Sequence, residues 1–362
     1  MTATGTFFLP GPTEVRPAVL AAMTRPMIAH RGAEFEALFG RCLAGLQQVM
    51  RTARPVIVST SSATGLMEAA MRCAPAGPVL CLANGAFSQR FAHIGAMCGR
   101  DVTVVEVPWG QVVQHDAVRV ALRARRYAAM AFVHSETSTG ARQDVAALAA
   151  LAREQGAMSL VDSVSGVGGM PVEPDAWDVD FVLTGSQKAL ALPPGFAFGV
   201  MSERFAHAAK GAHGRGVYFD LVEAEAMAHK RQTPQTPAVS LLYALDAQLE
   251  SILLEGMDAR WARHRAMAEL THAWIAARAP QGLGILAPEG NRSDTVTVIT
   301  LPAGVDGKAV VAGVARQGYV IGSGYGPLAP TSVRIGHMGD HTPDGVARCL
   351  MVLDEAMDQR SP

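Results

Sequence analysis

The chain has 362 residues, 49% hydrophobic and 17% charged, with 31 basic against 32 acidic side chains for a formal net charge of -1. Such a length holds one large domain plus a smaller one, and such a composition belongs to a globular chain with a sizeable core. The charge balance removes the electrostatic case for nucleic acid or an anionic membrane as partner, and no apolar run reaches membrane-spanning length. From about residue 55 to 200, short apolar runs alternate with helix-like segments. Strands are expected at 56–58, 79–82, 102–107, 129–133, 159–161 and 181–183, and helices at 66–73, 89–98, 116–125 and 144–155. Strands apolar at nearly every position and separated by helices predict an α/β fold with a mainly parallel sheet covered on both faces. In open sheets of that kind, ligands sit beyond the C-terminal ends of the strands.

Residues 200–237 read as a polar connection ending in Gln232-Thr233-Pro234-Gln235-Thr236-Pro237. Two long helices follow at 239–254 and 257–278, then strands at 295–301, 319–321 and 332–335 and a closing helix at 343–358. This second part reads as a smaller α+β domain. Five scattered cysteines (Cys42, Cys73, Cys81, Cys98, Cys349) form no CxxC pair and suit buried free thiols in a reducing compartment. The N-terminus lacks the basic flank and apolar run of a signal peptide, so the expected location is cytoplasmic.

The chain has four lysines, and three of them (Lys210, Lys230, Lys308) lie in polar, solvated contexts. Lys188 instead follows the apolar run 181–183 and precedes Ala189-Leu190-Ala191-Leu192. An amine in such surroundings has a depressed pKa and is nucleophilic, which suits Schiff-base chemistry. On local context it reads equally as a lysine snorkelling out from a strand end. Three other strand ends carry polar groups. Ser61-Ser62-Ala63-Thr64-Gly65 precedes a helix and could bind phosphate through hydroxyls and N–H groups, or serve as an ordinary N-cap. His134-Ser135-Glu136-Thr137-Ser138-Thr139-Gly140 is a polar cluster after the strand ending at Val133. Asp162 ends a buried strand and needs a partner, either a protonated ring nitrogen or the N–H groups of the following turn.

Phosphate loop, polar cluster, acid and amine arrive in that order on successive strand ends. With Leu9-Pro10-Gly11-Pro12-Thr13, Ala83-Asn84-Gly85-Ala86-Phe87, Glu136-Thr137-Ser138-Thr139-Gly140, Gly185-Ser186-Gln187-Lys188-Ala189-Leu190 and Val333-Arg334-Ile335-Gly336, nearly the whole chain resembles the class V aminotransferases of pyridoxal-phosphate fold-type I. The nearest group is that of the alanine–glyoxylate and serine–pyruvate (or serine–glyoxylate) aminotransferases. The resemblance implies a large domain at 15–255 built on a seven-stranded sheet and a small C-terminal domain at 256–362. Residues 1–14 would pack near the active site.

The resemblance also implies roles at matching positions. Lys188 forms the internal aldimine with pyridoxal 5'-phosphate and then shuttles a proton, and Asp162 pairs with the pyridinium nitrogen. Phe87, where the family often has Trp, and Val164 sandwich the ring, while Thr137 belongs to the polar cluster beside it. Ser62, Ala63 (where Gly is usual), Thr64, Gln187 and, from the partner of a homodimer, Thr236 hold the phosphate. Arg334 clamps the substrate carboxylate, a task suited to a planar guanidinium, although its position also suits an edge-strand surface arginine.

His30-Arg31 resembles the pair that meets the distal phosphate in the phosphoserine branch, but 322–328 lacks that branch's second basic pair. The expected reaction is therefore ping-pong transfer from alanine or serine to glyoxylate or pyruvate, with phosphoserine and 2-oxoglutarate as the alternative pair. A lyase such as a cysteine desulfurase would need a cysteine on a mobile loop, and Cys349 falls inside the closing helix. His337 and His341 are four apart with Gly339 between them and no helical pattern, so no metal is expected.

Overall fold

The structure is a computed structural model that describes residues 5–358. Its strands are β1 (Phe7–Phe8), β2 (Val56–Ser59), β3 (Val79–Ala83), β4 (Val102–Glu106), β5 (Ala129–Val133), β6 (Ser135–Glu136), β7 (Ala141–Arg142), β8 (Met158–Asp162), β9 (Phe181–Gly185), β10 (Ala197–Met201), β11 (Gly284–Ile285), β12 (Thr297–Thr300), β13 (Val320–Ser323) and β14 (Ser332–Ile335). Seven of them form one sheet in the order β2-β10-β9-β8-β5-β3-β4. Its pairings are parallel from β9 to β4, and β10 alone runs antiparallel to both neighbours. Strands β3, β5, β8, β9 and β10 are buried at every position, as a sheet covered on both faces requires. Two apolar clusters cover the faces, one around Phe35, Leu46, Phe132 and Leu245 and the other around Leu66, Met71, Phe181 and Phe205.

A second, five-stranded sheet has the order β1-β13-β14-β12-β11. It packs helices Gly307–Arg316 and Pro343–Asp358 over a third cluster that contains Ile299, Val314, Ile335 and Leu353. Strand β1 joins this sheet through β13, although it lies at the far end of the sequence. Helices Val239–Glu255 and Met257–Ala276 are separated by one residue, Gly256, whose φ of 81° breaks the helical path.

The structure adds elements to the sequence expectation, strand β10 among them. The connection 200–237 contains helices Glu203–Lys210 and Leu221–His229, started by Ser202 and Asp220, whose side chains accept the first free N–H groups. Helix Ala33–Val49, which buries Phe35, Leu38, Phe39 and Leu46, packs against helix Val239–Glu255 and was not anticipated.

Candidate active site

Asp162 is the last residue of β8, and Lys188 lies in the turn that follows β9, its parallel neighbour. The C-terminal ends of two adjacent strands therefore bring acid and amine to one place, where open sheets collect their ligands. Lys188 is only 7% exposed. Its Nζ donates to Pro10 O and lies 5.9 Å from the centre of the Phe87 ring. Burial, reinforced by the nearby Arg334 cation, pulls its pKa down to about 7, against the opposing pull of Asp162 and Glu136. Asp162 moves the other way. Burial and the Glu136 charge push it up to about 7, although Val164 N donates to its Oδ1 at 2.8 Å and Lys188 and Arg90 lie nearby. Among the described residues, that backbone N–H is the one hydrogen-bond donor to the Asp162 carboxylate. A buried carboxylate so thinly served is suited to receive a proton-bearing nitrogen.

The N-terminal segment closes over the amine. Gly11 has φ 111°, and a Cβ there would fall 2.6 Å from Lys188 Cε and 2.7 Å from Nζ. The backbone angle favours glycine, and a side chain there would displace the Lys188 amine. Thr13 fixes the lysine turn from the same segment, through Oγ1 to Lys188 O (2.9 Å) and through its N–H to Gln187 O (3.0 Å).

Phe87 opens helix Ala86–Met97 and is placed by Glu136. The buried Glu136 carboxylate accepts from Phe87 N (3.2 Å), Ser88 N (2.9 Å) and Ser88 Oγ (3.0 Å), where the helix N-terminus favours an anion. It also accepts from Ser138 Oγ at 2.5 Å. A Cβ on Gly85 would fall 2.5 Å from Glu136 Cγ, so a glycine precedes that helix. Thr137 Oγ1 and Ser165 Oγ are 2.5 Å apart, which links the polar cluster to the turn after Asp162. Val164 is half-buried in that turn.

Arg334, on β14 of the smaller sheet, reaches this group across the sheets. Its Nε donates to Ser323 O (2.8 Å) and an Nη to Thr137 O (3.3 Å), and its guanidinium lies 5.3 Å from the Tyr325 ring centre. Burial lowers its pKa. Among the described residues it has no carboxylate partner, so its charge is available to an anion. The ring of Tyr325 lies 5.5 Å from that of Phe87, and its hydroxyl meets an Nη of Arg90 at 3.3 Å. The sequence offered no reason to single out Tyr325 or Arg90, because each depends on a neighbour far away in the chain.

Ser62 is the N-cap residue of helix Ala63–Cys73, yet its side chain makes no capping bond. Gly65 N donates to Ser62 O (2.9 Å), while among the described residues the exposed hydroxyl and the N–H groups of Ala63 and Thr64 remain available to an anion. Ala63 is buried and Thr64 half-buried in that first turn, and Gln187 folds back beside Gly185 and Ala63. His30, Arg31 and Thr236 are not brought to Lys188 within this chain. The Arg31 guanidinium donates to Gln232 Oε1 (3.0 Å), Thr233 O (2.7 Å) and Pro234 O (3.4 Å). It therefore ties down the loop that carries the exposed Thr236. His337 bonds Thr297 Oγ1 and Asp294 O, while His341 bonds Phe7 O and stacks on Phe8, so the two imidazoles serve separate structural contacts. His134 is also spent internally, with Nδ1 2.9 Å from Ser163 Oγ.

Comparison with known proteins adds the family. The aminotransferase class-V model matches residues 11–349. The chain is 34% identical to the L-aspartate–glyoxylate aminotransferase of Paracoccus denitrificans over 98% of its own length and 92% of the relative's. It is 33% identical to the serine–glyoxylate aminotransferase of Methylorubrum extorquens, over 92% and 86% of the two chains. The crystal structure of an alanine–glyoxylate aminotransferase from Nostoc sp. superposes with a TM-score of 0.91 at 32% identity, covering 97% of this chain and 95% of that one.

Proposed function

Because the chain belongs to the class V aminotransferases, we propose that it moves the amino group of a small amino acid, alanine or serine, to glyoxylate or pyruvate in two successive half-reactions centred on Lys188. Enzymes of this family depend on pyridoxal 5'-phosphate, and the residues present fit that group. The buried Asp162 carboxylate, without a cation bonded to it, suits the ring nitrogen. Phe87 and Val164 suit the two ring faces, and Thr137 suits its edge. The helix start at Ser62, Ala63 and Thr64, with Gln187, suits the phosphate. When bound, the cofactor supplies an aldehyde that condenses with amines and an electron-poor ring that accepts charge from the substrate Cα.

The protein's own part is to orient and to move protons. Lys188 Nζ, held near pKa 7, can take a proton from the substrate Cα and would pass it to the cofactor's former aldehyde carbon near neutral pH without a large mismatch in either direction. Arg334 orients the substrate through its α-carboxylate, and the Pro10–Gly11 segment excludes water from the amine. The observation that carries this reading is the Lys188 amine itself, buried beside Asp162 and Phe87 with its pKa drawn down. Cys349, the acceptor a desulfurase would need, is buried in helix Pro343–Asp358 with its thiol pushed up to about 12, which favours transamination.

We further assign residues 15–255 to a large cofactor-binding domain and 256–362 to a small one, with 1–14 packing near the active site; 1–4 and 359–362 lie outside the described residues. The helix break at Gly256 supports that boundary. In a homodimer with shared sites, Thr236 of the partner subunit would complete the phosphate shell, on the loop that Arg31 holds. His30 and Arg31 would face a distal anionic group of the substrate only from that partner side. The free cysteines support a reducing, cytoplasmic setting. Among the described residues, no helix is long and apolar enough to cross a membrane.

The test is a half-reaction screen. The protein loaded with pyridoxal phosphate is mixed separately with alanine, serine, phosphoserine and other amino acids, and conversion to the pyridoxamine form is followed by absorbance. Conversion by alanine or serine is expected. Conversion by phosphoserine alone would overturn the donor assignment, and sulfide release from cysteine without an oxo acid would indicate a lyase.

A further inference from the structure

Among the described residues the largest fully buried side chain is a cation, and it holds carbonyls in the two turns that follow β8 and β9. Arg260 is 2% exposed and lies on helix Met257–Ala276. Its Nε donates to Gly168 O at 3.1 Å. One Nη donates to Ala189 O at 2.8 Å and to Asp340 Oδ1 at 3.0 Å, and the other to Glu255 Oε2 at 2.8 Å. Ala189 directly follows Lys188, and Gly168 belongs to the turn that follows Asp162. These turns also touch each other, since a Cβ on Gly168 would lie 3.2 Å from Ala189 O.

The two carboxylates that neutralise Arg260 are held in their turn. Asp340 accepts from Arg16 Nε (2.7 Å) and Gln248 Nε2 (3.0 Å), and Glu255 accepts from Arg263 Nε (2.6 Å). For stability alone, an apolar side chain of similar volume serves a buried position as well as a paired charge does. What the guanidinium adds is direction, because its planar fork presents donors at fixed angles and can span two carbonyls at once.

We infer that Arg260 is a positioning residue for the reaction, which sets the spacing between the Lys188 turn and the Asp162 turn and locks both to helix Met257–Ala276. It acts through those backbone carbonyls. The inference rests on Lys188 and Asp162 having the roles proposed above. A small shift of reacting groups is enough to cost rate, so losing the bridge lowers turnover while leaving the Arg334 carboxylate contact in place.

The test uses the cofactor-loaded protein with Arg260→Lys, which keeps the charge but not the fork. Arg278→Lys is the control, because Arg278 pairs with Asp354 beyond the end of the same helix. Melting temperature, donor half-reaction kinetics and the pH midpoint of the bound cofactor's absorbance are measured for each. Arg260→Lys is expected to lower kcat by about 10- to 100-fold with donor KM changed by less than about threefold. The absorbance midpoint should move by about half a unit or more, because the charges around Lys188 are respaced. Arg278→Lys should lower the melting temperature alone.

Wild-type kcat and midpoint in Arg260→Lys would overturn the inference whatever its melting temperature, and so would equal losses in Arg278→Lys. If Arg260→Lys does not fold, Asp340→Asn, which removes the charge that holds the Nη donating to Ala189 O, carries the same expectations and the same refutation. Failure of the donor assignment would show separately, as a wild type that no small amino acid converts while its absorbance still titrates.

Discussion

Strands β8 and β9 carry a buried aspartate at each end of their pairing, and the two are treated in opposite ways. Asp180, just before β9, accepts from Ser159 N (2.9 Å), Ser202 Oγ (2.9 Å) and both Nε (2.9 Å) and an Nη of Arg204. Asp162, at the far end of β8, accepts from Val164 N and is left with its pKa near 7. One end of the pair is a finished structural joint. The other, among the described residues, is served by a single backbone N–H, which suits the partnership with the cofactor's ring nitrogen proposed above. Two buried carboxylates on adjacent strands thus separate into stability and function by their partners, not by their burial.

The largest effect expected at the functional end is from Lys188→Ala. Turnover should fall by at least about 10³-fold, since both covalent attachment and proton transfer are removed. A half-reaction rate near wild type would break the contrast at its centre. Asp162→Asn should come next, with donor half-reaction rates lower by about 10²-fold in stopped-flow traces.

Asp162→Asn also makes a stability prediction of opposite sign. The folded-state pKa of Asp162 is raised from 3.8 to about 7, so ionisation costs the cofactor-free fold stability as pH climbs through that interval. Cofactor-free Asp162→Asn should therefore melt above the cofactor-free wild type at pH 8, and the difference should vanish below about pH 4. A variant that melts lower at pH 8 would show that Asp162 is a structural joint after all.

Asp180→Asn is the mirror case and should show the smallest effect on rate. It should cost about 2–3 kcal/mol of stability, with Arg204, 30% exposed, able to recover some hydration. Its kcat should stay within about twofold of wild type in the same assay, because the Asp180 joint lies at the opposite end of the strands from the chemistry.

The parts of this arrangement legible in the sequence are those that a strand end encodes. Strands β2, β3, β4, β5, β8 and β9 announce themselves as apolar runs, and Asp162 and Lys188 stand where those runs stop. Strand β10 was less visible because it follows Pro193-Pro194-Gly195 and runs against its neighbours. Helix Glu203–Lys210 was hidden in a polar stretch, although Ser202 was the available signal as a capping residue three before Phe205. Arg260 could not be told from Arg263 or Arg265 in the same helix, because the carbonyls it bridges lie 71 and 92 residues away. His30-Arg31 reads as an anion clamp in the sequence, and within this chain the Arg31 guanidinium donates to the carbonyls of Thr233 and Pro234. A pair of basic residues does not disclose which acceptor will claim it.

The closure of Gly11 over Lys188 has a consequence for how the molecule assembles. The Lys188 Nζ contact with Pro10 O spans 178 residues, and the strand that leads into Pro10 is itself held by β13, more than 300 residues along the chain. Contacts of such separation form late, after loop-closure entropy has been met by more local structure. Lys188 therefore reaches its final pose only when the two ends of the polypeptide and its middle have met. Capture of the cofactor, followed by its absorbance during refolding, becomes a clock for the last step of folding, slower than the burial of the seven-stranded sheet's core.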